Sequence, residues 1–397
     1  MTDDATTDDM PVLRWEDEQT SENPIAFLTD LASKCPYASS DKGLAVLRRE
    51  EARDILRRDL PIAVYHIPEE VSPYLSERTK EPLLTRHGPE HLALRKILTR
   101  VFRGHVLETL RPRIRERFEE LLDPIMERGE GDLVKELFHP FPAHVLAPIL
   151  GLPMKDIDMV SAWVDSSARW TDIFLPREKL SEIEAAWRSL EAYLLELLRE
   201  RREDLKDDIF SELIRAMEGH RELEVVGIAM ELTRAGMDTT RRQLANTMMA
   251  LLENPSEWAK LSADPALAPG AVEEGLRYAS ITHHMSRQAV APTEFAGMPA
   301  EAGEVATVLA MAVNRDPRAF ENPDSFDIHR GRNAHMTFGF GSHACIGAPL
   351  ARMEMIEAFT VLAERIGTIE VTGPIERAKV TIGMVPTTLP VRVTPRA

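Results

Sequence analysis

The sequence predicts a mainly helical fold with a small β region, and three observations support this prediction. Apolar residues recur at helical spacing over much of the first two thirds of the chain. The longest such stretch, residues 223–253, would form a helix of about 45 Å that is apolar on most of its circumference. β-branched and apolar residues alternate in two late segments, residues 288–309 and 371–393. We therefore expect one long core helix, surrounding helices and a small β region late in the chain.

The composition is that of an ordinary globular protein. The 397 residues are 44% hydrophobic and 28% charged, which is enough apolar material for a large core. No linker or low-complexity tract divides the chain. We expect a flexible acidic N-terminus over residues 1–20, followed by a single domain over residues 21–397.

The charge balance and the N-terminal residues narrow the class of protein. The net charge is −17, with 48 Lys and Arg against 65 Asp and Glu, which disfavours a nucleic-acid-binding protein. No apolar run reaches the length of a membrane span, and residues 1–9 are acidic where a signal peptide would be basic. The two cysteines cannot make a disulfide framework and suit a reducing compartment. We expect a cytoplasmic monomer that is not inserted into a membrane.

Before the core helix, the apolar spacing predicts a series of shorter helices. They cover residues 26–34, 49–57, 106–127, 132–150, 155–168, 178–202 and 207–218. Pro140 and Pro142 must kink or interrupt the helix over 132–150. Residues 60–87 carry four prolines and little periodicity, so we expect a long irregular segment there. His91 and Arg95 then lie four residues apart, on one face of a helix.

The core helix contains a local weakness at Ala235-Gly236-Met237-Asp238-Thr239-Thr240. A glycine and two β-branched residues are poor helix formers at its centre. Threonine hydroxyls can bond the carbonyl one turn back and bend a helix, and a glycine lets another group approach the backbone. From the residues alone, this segment is either a tolerated weak point or a functional kink.

A glycine-framed loop presents one cysteine to its surroundings. Residues 338–347 contain three glycines and lead into an apolar helix that runs towards Arg365. Cys345 therefore sits at a helix N-terminus, where backbone N–H groups and the helix dipole favour a thiolate. It is a metal ligand, a nucleophile or a buried inert cysteine. Zinc and iron–sulfur sites usually need several Cys or His ligands, and the second cysteine, Cys35, lies far away in sequence, whereas a single thiolate suits a haem iron.

The run from Phe338 to Gly347 resembles the proximal haem-binding loop of the cytochrome P450 monooxygenases. The pattern of that loop is Phe-x-x-Gly-x-His/Arg-x-Cys-x-Gly, and every fixed position is filled. The resemblance implies a cytochrome P450 fold, in which the long central helix lies over haem b. It also implies that Cys345 is the axial ligand of the iron, that Phe338 packs beside its sulfur, and that His343 contacts a haem propionate. Thiolate ligation pushes electron density onto the iron and favours O–O cleavage.

The same resemblance assigns further cofactor-binding and catalytic residues. His91, Arg95 and Arg287 occupy the propionate-binding positions, and arginine suits a bidentate contact with a carboxylate. Asp238 and Thr239 occupy the positions of the acid–alcohol pair of the oxygen-binding groove. A carboxylate beside a hydroxyl can relay protons into a mostly dry pocket. Thr240 is expected to be structural.

A buried charge network and a substrate pocket are also implied by the family. Glu274, Arg277 and Arg330 would form the family's Glu-Arg-Arg network, which is structural and required for haem incorporation. The residues expected to line the substrate pocket are Ala235, Gly236, Thr282, His283, His284 and Val385. His283 and His284 are either surface or satisfied core residues, or one of them hydrogen-bonds a polar group of the substrate.

The implied function is a haem-thiolate monooxygenase. It would insert one oxygen atom from O2 into a small, largely apolar organic molecule, by hydroxylation or oxidative dealkylation. No flavin or nicotinamide domain fits within the chain, so electrons from NAD(P)H would arrive through a separate ferredoxin or flavodoxin and its reductase. Candidate docking charges for that donor are Lys96, Arg100, Arg103 and Arg352, which could equally be ordinary solvated charges.

Three other classes of protein remain open from the sequence. A haem-thiolate peroxygenase is the nearest, although peroxygenases related to this family lack the acid–alcohol pair of Asp238 and Thr239. A non-catalytic haem-binding or sensor protein is the second. The third is a cysteine hydrolase that uses Cys345 with a histidine base, and it would show no haem absorbance.

Overall fold

The structure is a computed structural model, and it describes residues 10–15, 24–63, 67, 69–102, 108–167, 177–331, 333–380 and 383–396. Within these residues the helices are α1 (Pro24–Lys34), α2 (Arg49–Leu56), α3 (Pro73–Arg78), α4 (Gly88–Val101), α5 (Arg111–Arg128), α6 (Pro140–Leu150), α7 (Ile157–Ser167), α8 (Leu180–Glu203), α9 (Ile209–Ala216), α10 (Glu222–Glu253), α11 (Pro255–Ala263), α12 (Ala268–Tyr278), α13 (Ala310–Val313) and α14 (Ala348–Arg365). The strands are β1 (Tyr37–Ser40), β2 (Gly43–Val46), β3 (Glu130–Asp132), β4 (His284–Gln288), β5 (Thr293–Phe295), β6 (Met298–Ala300), β7 (Val305–Leu309), β8 (Ile366–Val371), β9 (Arg377–Val380), β10 (Gly383–Pro386) and β11 (Pro390–Pro395). The prediction of a mainly helical fold with a small β region is confirmed.

The central helix α10 organises the core. It begins at Glu222, where the Glu224 side chain accepts a hydrogen bond from the backbone N–H of Arg221 at 3.1 Å. Its 32 residues span about 48 Å, and most of them are buried. Helices α6, α7, α8, α12 and α14 all pack against it. The predicted range of 223–253 agrees with the observed helix, because apolar residues at helical spacing over that length indicate a helix and no other element.

The expected interruption near Pro140 divides two helical segments. Leu133–Phe138 forms a π-helical turn, and α6 then begins at Pro140. A proline is tolerated in the first turn of a helix because its missing N–H would have no partner there. Gly151 ends α6 with a left-handed φ of 86°, a conformation that a glycine adopts without a Cβ clash.

Four small sheets lie at the edges of the helical core. The largest has the strand order β1-β2-β7-β4, in which β2 and β7 are parallel and Val46 is opposite Val308. A three-stranded sheet joins β3, β11 and β8, and β5–β6 and β9–β10 are two-stranded. The strand-like segments predicted at 288–309 and 371–393 fall in these sheets. Strands β1 and β2 were not predicted from the sequence.

Two N-terminal expectations need adjustment. Leu13 and Trp15 are 1% and 4% exposed, so the chain packs before residue 20, although residues 1–9 and 16–20 lie outside the described part. The segment 60–87 is not wholly irregular, because α3 begins at Pro73 after Ser72, whose hydroxyl accepts from the N–H of Leu75 at 3.0 Å. Across the described ranges, no helix combines the length and apolarity needed to span a bilayer.

Candidate active site

The loop around Cys345 is built on glycines that no other residue could replace without strain. Gly339 and Gly341 have φ values of 72° and 76°. A Cβ at Gly341 would lie 2.5 Å from the carbonyl oxygen of Leu56, so the loop also packs closely against α2. The backbone N–H of Cys345 donates to the carbonyl of Phe338 at 2.7 Å and closes the loop. The cysteine is therefore presented by a rigid turn, as predicted from the glycine spacing.

The thiol of Cys345 has an electropositive environment. Its side chain has accessible surface, yet protein surrounds it on most sides, and this loss of hydration raises the pKa of the thiol. The N–H groups of Gly347 and Ala348 and the cations of Arg95 and Arg352 act in the opposite direction. The thiolate expected from the sequence is thus not favoured in the protein alone. Binding a metal cation would deprotonate the thiol, which makes the site better suited to a metal ligand than to a free nucleophile.

Two stacked histidines connect the cysteine loop to helix α4. The ring centroids of His91 and His343 are 4.1 Å apart, with an angle of 9° between the ring planes. Asp59 holds this pair: its carboxylate accepts from His91 Nδ1 at 2.7 Å, from the Ser342 hydroxyl at 2.8 Å and from the Gly88 N–H at 2.7 Å. Asp59 could not be predicted, because a single carboxylate ahead of a proline-rich segment has no distinguishing pattern.

The histidine pair is neutral in the protein alone. Burial lowers the pKa of His91 and lowers that of His343 to about 3. The contact with Asp59 places a proton on Nδ1 of His91 and opposes the effect of burial. An anionic group at Nε2 of His91 would draw a second proton onto this ring, and Asp59 would stabilise the resulting imidazolium. The pair is therefore prepared to contact a carboxylate.

Two arginines and one histidine present donor atoms around the same loop. Arg287 is 1% exposed, and its Nη1 donates to the carbonyl of Ser286 at 2.8 Å. Nε of Arg287 and Nε2 of His91 are buried, and the described residues offer them no hydrogen-bond partner. Arg95 donates to the carbonyl of Ala344, the residue before Cys345. Buried polar atoms without partners are costly, so the Arg287 Nε–H and the protonatable Nε2 of His91 together fit a flat ligand that carries carboxylates, as haem does.

The same histidines and aspartate also have the spacing of a metal site. The ligating atoms of Asp59, His91 and His343 lie within 4.8 Å of one another. However, the two rings are stacked in parallel, so their nitrogen lone pairs do not converge on one point, and Asp59 already accepts from His91. This geometry does not favour coordination of one metal ion by the three side chains.

Two residues in the middle of α10 have exposed side chains on one face of a largely buried helix, and we call this face the α10 groove. Ala235 and Thr239 are exposed, whereas Met237 and Thr240 are buried. Positions i and i+4 share one helix face, so the two exposed residues lie on the same side of α10. The Thr239 hydroxyl donates to the carbonyl of Ala235 at 2.7 Å, which is the back-bonding expected of a kinked segment.

Asp238 points away from this groove. Its Oδ1 accepts from Arg241 Nη2 at 2.6 Å and from Arg242 Nε at 2.8 Å. Adjacent helical residues are about 100° apart, so Asp238 and Thr239 face different directions. None of the described contacts joins their side chains. The structure does not bring the predicted acid–alcohol pair together directly.

Val385 lines a cavity on the charged side of α10. This cavity has a volume of about 240 Å³, and its wall includes His139, Asp165, Arg241 and Arg242. Asp165 forms an ion pair with Arg241, and its Oδ2 lies 3.1 Å from Nε2 of His139. The cavity thus lies next to the ion-pair cluster that holds Asp238.

Gly236 does not line the groove, which corrects the expectation that it belongs to the substrate pocket. A Cβ at this position would lie 2.4 Å from Cδ2 of Leu146 on α6. Gly236 is one residue, and therefore about 100° around the helix, from Ala235. Its missing side chain allows α6 and α10 to approach closely.

The segment after α12 contributes core packing as well as accessible residues. His283 is 4% exposed, and its ring lies where a Cβ on Gly383 would be, 2.2 Å from His283 Cε1. This favours the satisfied-core interpretation of His283. His284 begins β4 opposite Leu309 and is half-buried, as is Thr282. His284 and Thr282 therefore stay candidates for the pocket.

The predicted Glu-Arg-Arg network is assembled in the structure. Glu274 and Arg277 have fully buried side chains and share two hydrogen bonds of 2.7 and 2.8 Å. Arg330 Nε lies 3.1 and 3.0 Å from the two oxygens of the Glu274 carboxylate. Asn333 Nδ2 and the Asp327 N–H donate to the same carboxylate at 3.1 and 3.0 Å. The carboxylate is saturated with donors, which is what a buried charge requires.

The four candidate docking residues differ in their exposure and in their ion pairing. Arg352 is bound to the Glu273 carboxylate, with Nε 2.6 Å from Oε1. Lys96 is exposed on α4. Arg103 lies outside the described residues, and only the backbone of Arg100 is described.

Comparison with known proteins gives a consistent picture. A family model described as Cytochrome P450 matches residues 46–265 and 266–365. Cyclomarin C epoxidase CymV of Salinispora arenicola (strain CNS-205) is 37% identical over 289 residues, which are 72% of this chain and 73% of that protein. The biotin biosynthesis cytochrome P450 of Bacillus subtilis (strain 168) is 31% identical over 355 residues, or 87% of this chain and 90% of that protein. A solved structure of P450BioI in complex with hexadec-9Z-enoic acid ligated acyl carrier protein aligns with a TM-score of 0.88 at 28% identity, covering 95% of this chain and 100% of that chain.

Proposed function

The chain belongs to the cytochrome P450 family and is a haem-thiolate monooxygenase, and we propose that it oxidises a small, largely apolar organic molecule. The proposed reaction is hydroxylation at an unactivated C–H bond, or oxidative dealkylation by the same step. The observation that carries the proposal is Cys345, which is held by a glycine loop and receives N–H groups on its sulfur. Membership of this family makes the cysteine-hydrolase alternative wrong.

The cofactor would be haem b, held by residues that the structure groups together. Cys345 would ligate the iron, and His91, Arg95, Arg287 and His343 would contact the propionates. When bound, the haem supplies the activation of O2 and the transfer of one oxygen atom to the substrate. The rigid loop fixes the direction of the sulfur, and the surrounding cations favour its ionised form.

The central helix would supply proton delivery and substrate orientation. The proton of the Thr239 hydroxyl is donated to the carbonyl of Ala235, so its oxygen is left to accept a hydrogen bond from a water or a ligand on the exposed side of α10. Asp238 is bound to two arginines and sits beside a solvent-accessible cavity. In this proposal, Asp238 takes protons from water in the cavity and passes them to the Thr239 hydroxyl through an intervening water.

Substitution of Asp238 tests this role. Asp238→Asn keeps the shape of the side chain and removes its capacity to hold and release a proton at neutral pH. We expect product formation to slow by about 10²-fold, the lower range for removal of a general acid–base group. Haem content, measured by absorbance per mole of protein, should stay near that of the unmodified protein. Unchanged turnover would contradict the proton role.

The proposal also covers the source of electrons, the oligomeric state and the cellular compartment. Electrons from NAD(P)H would reach the haem through a separate ferredoxin or flavodoxin and its reductase. The protein would act as a monomer in the cytoplasm. Steady NAD(P)H consumption with surrogate partners, coupled to product, would support a monooxygenase against a peroxygenase or a haem sensor. Turnover with hydrogen peroxide alone would favour the peroxygenase.

A spectral titration would test the haem site and the substrate class together. The purified ferric protein is titrated with terpenes, fatty acids, aromatic acids and steroids, and the displacement of iron-bound water is followed as a low-to-high-spin shift. Fatty acids have particular interest because P450BioI was solved with a fatty acyl group on acyl carrier protein. A shift with one class would name the substrate class. Loss of the thiolate-type spectrum in Cys345→Ala is expected, and its survival would contradict the ligand assignment.

A further inference from the structure

Phe338, the first residue of the cysteine loop, lies against a cation. Cζ of Arg352 is 4.6 Å from the centroid of the Phe338 ring, which is within the range of a cation–π contact. Arg352 belongs to α14, seven residues after Cys345. Phe338 is joined to Cys345 by the 2.7 Å hydrogen bond that closes the loop. A positive charge is thus held beside the residue that closes the loop on the haem ligand.

The Arg352 guanidinium has a fixed orientation because Glu273 of α12 binds it at two points. Arg352 Nε lies 2.6 Å from Glu273 Oε1, and Nη2 lies 3.2 Å from Oε2. A bidentate pair fixes the guanidinium plane, which a single contact would not do. The two side chains are 37% and 30% exposed, so this pair is half-buried and is not a freely solvated charge.

His335 is the third side chain of the cluster. Its Nε2 lies 3.1 Å from Glu273 Oε2, and its Nδ1 accepts from the N–H of Thr337 at 3.2 Å. The His335 side chain is 2% exposed, and its ring centroid is 6.0 Å from that of Phe338. The two arms of the cluster, His335 and Arg352, therefore both contact Phe338 and Glu273.

Glu273 is ionised in this setting. Burial raises the pKa of its carboxyl, but hydrogen bonds from His335 and Arg352 and the positive charge of Arg352 outweigh burial and lower the pKa to about 2. The cluster thus holds one negative charge on Glu273 and one positive charge on Arg352. The positive charge is the one that acts on Cys345.

We infer that Glu273 and Arg352 form a balanced charge pair that positions Phe338 and sets the reduction potential of the haem bound by Cys345. The inference rests on the proposed function, because it requires haem at that cysteine. Reduction of ferric to ferrous haem adds one negative charge, so a nearby cation favours the reduced form and a nearby anion favours the oxidised form. The charges of Glu273 and Arg352 therefore shift the midpoint potential in opposite directions. Both are positioning residues that do not touch the substrate.

The charge mechanism gives opposite signs for the two single substitutions. Arg352→Gln leaves the Glu273 charge uncompensated, so the midpoint potential becomes more negative. Glu273→Gln leaves the Arg352 charge uncompensated, so the midpoint potential becomes more positive. The double variant removes both charges and returns the potential towards that of the unmodified protein. A purely structural role, in which Phe338 loses its packing, would move both single variants in the same direction.

The measurement is a spectroelectrochemical titration of the holoenzyme at low ionic strength, with no protein electron donor present. We expect each single substitution to change the ferric-to-ferrous equilibrium constant at least threefold, which is about 28 mV for a one-electron couple. Arg365→Gln is the matched control. It removes the same charge from an ion pair with Asp123, about 20 Å further along the same helix, where salt screens its effect. Its potential should not move.

The outcomes separate this inference from the proposed function. If the midpoint potentials of the two single variants shift in the same direction, or do not shift, the charge-pair inference is overturned. The proposed monooxygenase function is not affected by that result. An effect on KM for the electron donor at unchanged potential overturns it as well, in favour of a docking role for Arg352. Unmodified protein without a thiolate-type ferrous–CO spectrum would instead overturn the proposed function. If Arg352→Gln does not fold, Arg352→Lys keeps the charge and should stay within twofold of the unmodified equilibrium constant.

Discussion

Asp59 shows how a single carboxylate can join three separate segments at a cofactor site. It accepts from Gly88 at the start of α4, from His91 one turn later and from Ser342 in the cysteine loop. Hydrogen bonds to a charged acceptor contribute more than neutral ones, about 1.5–3 kcal/mol each. These contacts hold the Asp59 pKa below its ordinary value although burial raises it.

Asp59→Asn should weaken haem retention. The amide keeps the shape of the side chain but cannot stabilise a His91 imidazolium. The site should therefore bind a haem carboxylate less tightly. We expect haem loss to excess apomyoglobin to be about tenfold faster, which corresponds to about 1.4 kcal/mol. Asp54→Asn is the control, since Asp54 pairs with Arg57 and Arg58 on α2 and does not contact the histidines. Equal rates for both variants would contradict the role given to Asp59.

Glu354 is a buried carboxyl that pairs with no cation among the residues that the structure describes. It is 2% exposed on α14, and the hydroxyl of Thr240 is its hydrogen-bond donor. Burial raises the pKa of Glu354 to about 8, from an ordinary value of 4.5. The folded protein therefore holds a proton that the unfolded chain releases, so the carboxyl costs stability increasingly as pH rises from about 4.5 to about 8.

Glu354→Gln removes this pH dependence because an amide does not ionise. The free energy of unfolding of the variant, relative to the unmodified protein, should increase between about pH 5 and about pH 8 by more than 1 kcal/mol, since one pKa unit equals about 1.4 kcal/mol. Urea unfolding at several pH values measures the difference. Glu364→Gln removes an exposed carboxylate, paired with Arg115, from the same helix and is the control. A flat profile for Glu354→Gln would show that this carboxyl is not protonated in the folded protein.

At the scale of elements, the close approach of α6 and α10 depends on one glycine. The Leu146 side chain occupies the space where a Cβ of Gly236 would be. Gly236→Ala should therefore destabilise the protein by about 1–3 kcal/mol through overpacking. In a Leu146→Ala background the same substitution should cost less, because the truncated side chain leaves room. Thermal unfolding of the four proteins gives this comparison. Gly331→Ala is a control, since a Cβ there meets nothing within 4 Å.

The sequence predicted long elements well and short ones poorly. The range of α10 could be predicted closely because 32 residues of helical apolar spacing leave one interpretation. α3 was missed because six residues give too little periodicity, although Ser72 followed by Pro73 is a helix start signal. β1 and β2 were missed because each has four residues and owes its stability to pairing with β7, a long-range contact that local pattern does not encode.

In the cofactor-binding site too, features that are local in sequence could be predicted and features that depend on long-range contacts could not. The Cys345 loop could be predicted because glycine spacing, cysteine and helix start are all local in sequence. Asp59 and Glu273 could not, since each acts through residues more than 30 positions away along the chain. Gly236 was misplaced because a glycine within a functional segment was assumed to face the pocket, while the helical phase turns it towards α6.

At the scale of the whole molecule, the buried Glu274 network fixes the long irregular segment that leads to the cysteine loop. Arg277 donates to the backbone carbonyls of residues 314, 323 and 325, and Arg330 donates to those of residues 321, 322 and 325. Both arginines also bind Glu274. One carboxylate therefore neutralises two cations that shape the path of the chain.

Glu274→Gln should lower the stability of the whole protein. It leaves two arginines without a counter-charge in a buried site, which costs about 3–5 kcal/mol. The expected result is a low yield of haem-loaded protein and a lower unfolding midpoint in urea. Glu224→Gln removes a partly exposed pair with Arg221, and it should lower stability much less than Glu274→Gln does. A Glu274→Gln variant with normal haem content and stability would refute the structural role of the network.

The parallel pairing of β2 with β7 has a consequence for how the protein is made. Val46 pairs with Val308, so the first sheet of the chain joins residues about 260 positions apart. A ribosome adds roughly 5–20 residues per second, so the N-terminal hairpin waits about 13–50 s for its partner strand. During that time the edge of β2 is unpaired, and its apolar residues are available to other chains. Slower synthesis, or a chain that stops before residue 308, should therefore increase aggregation of the nascent protein.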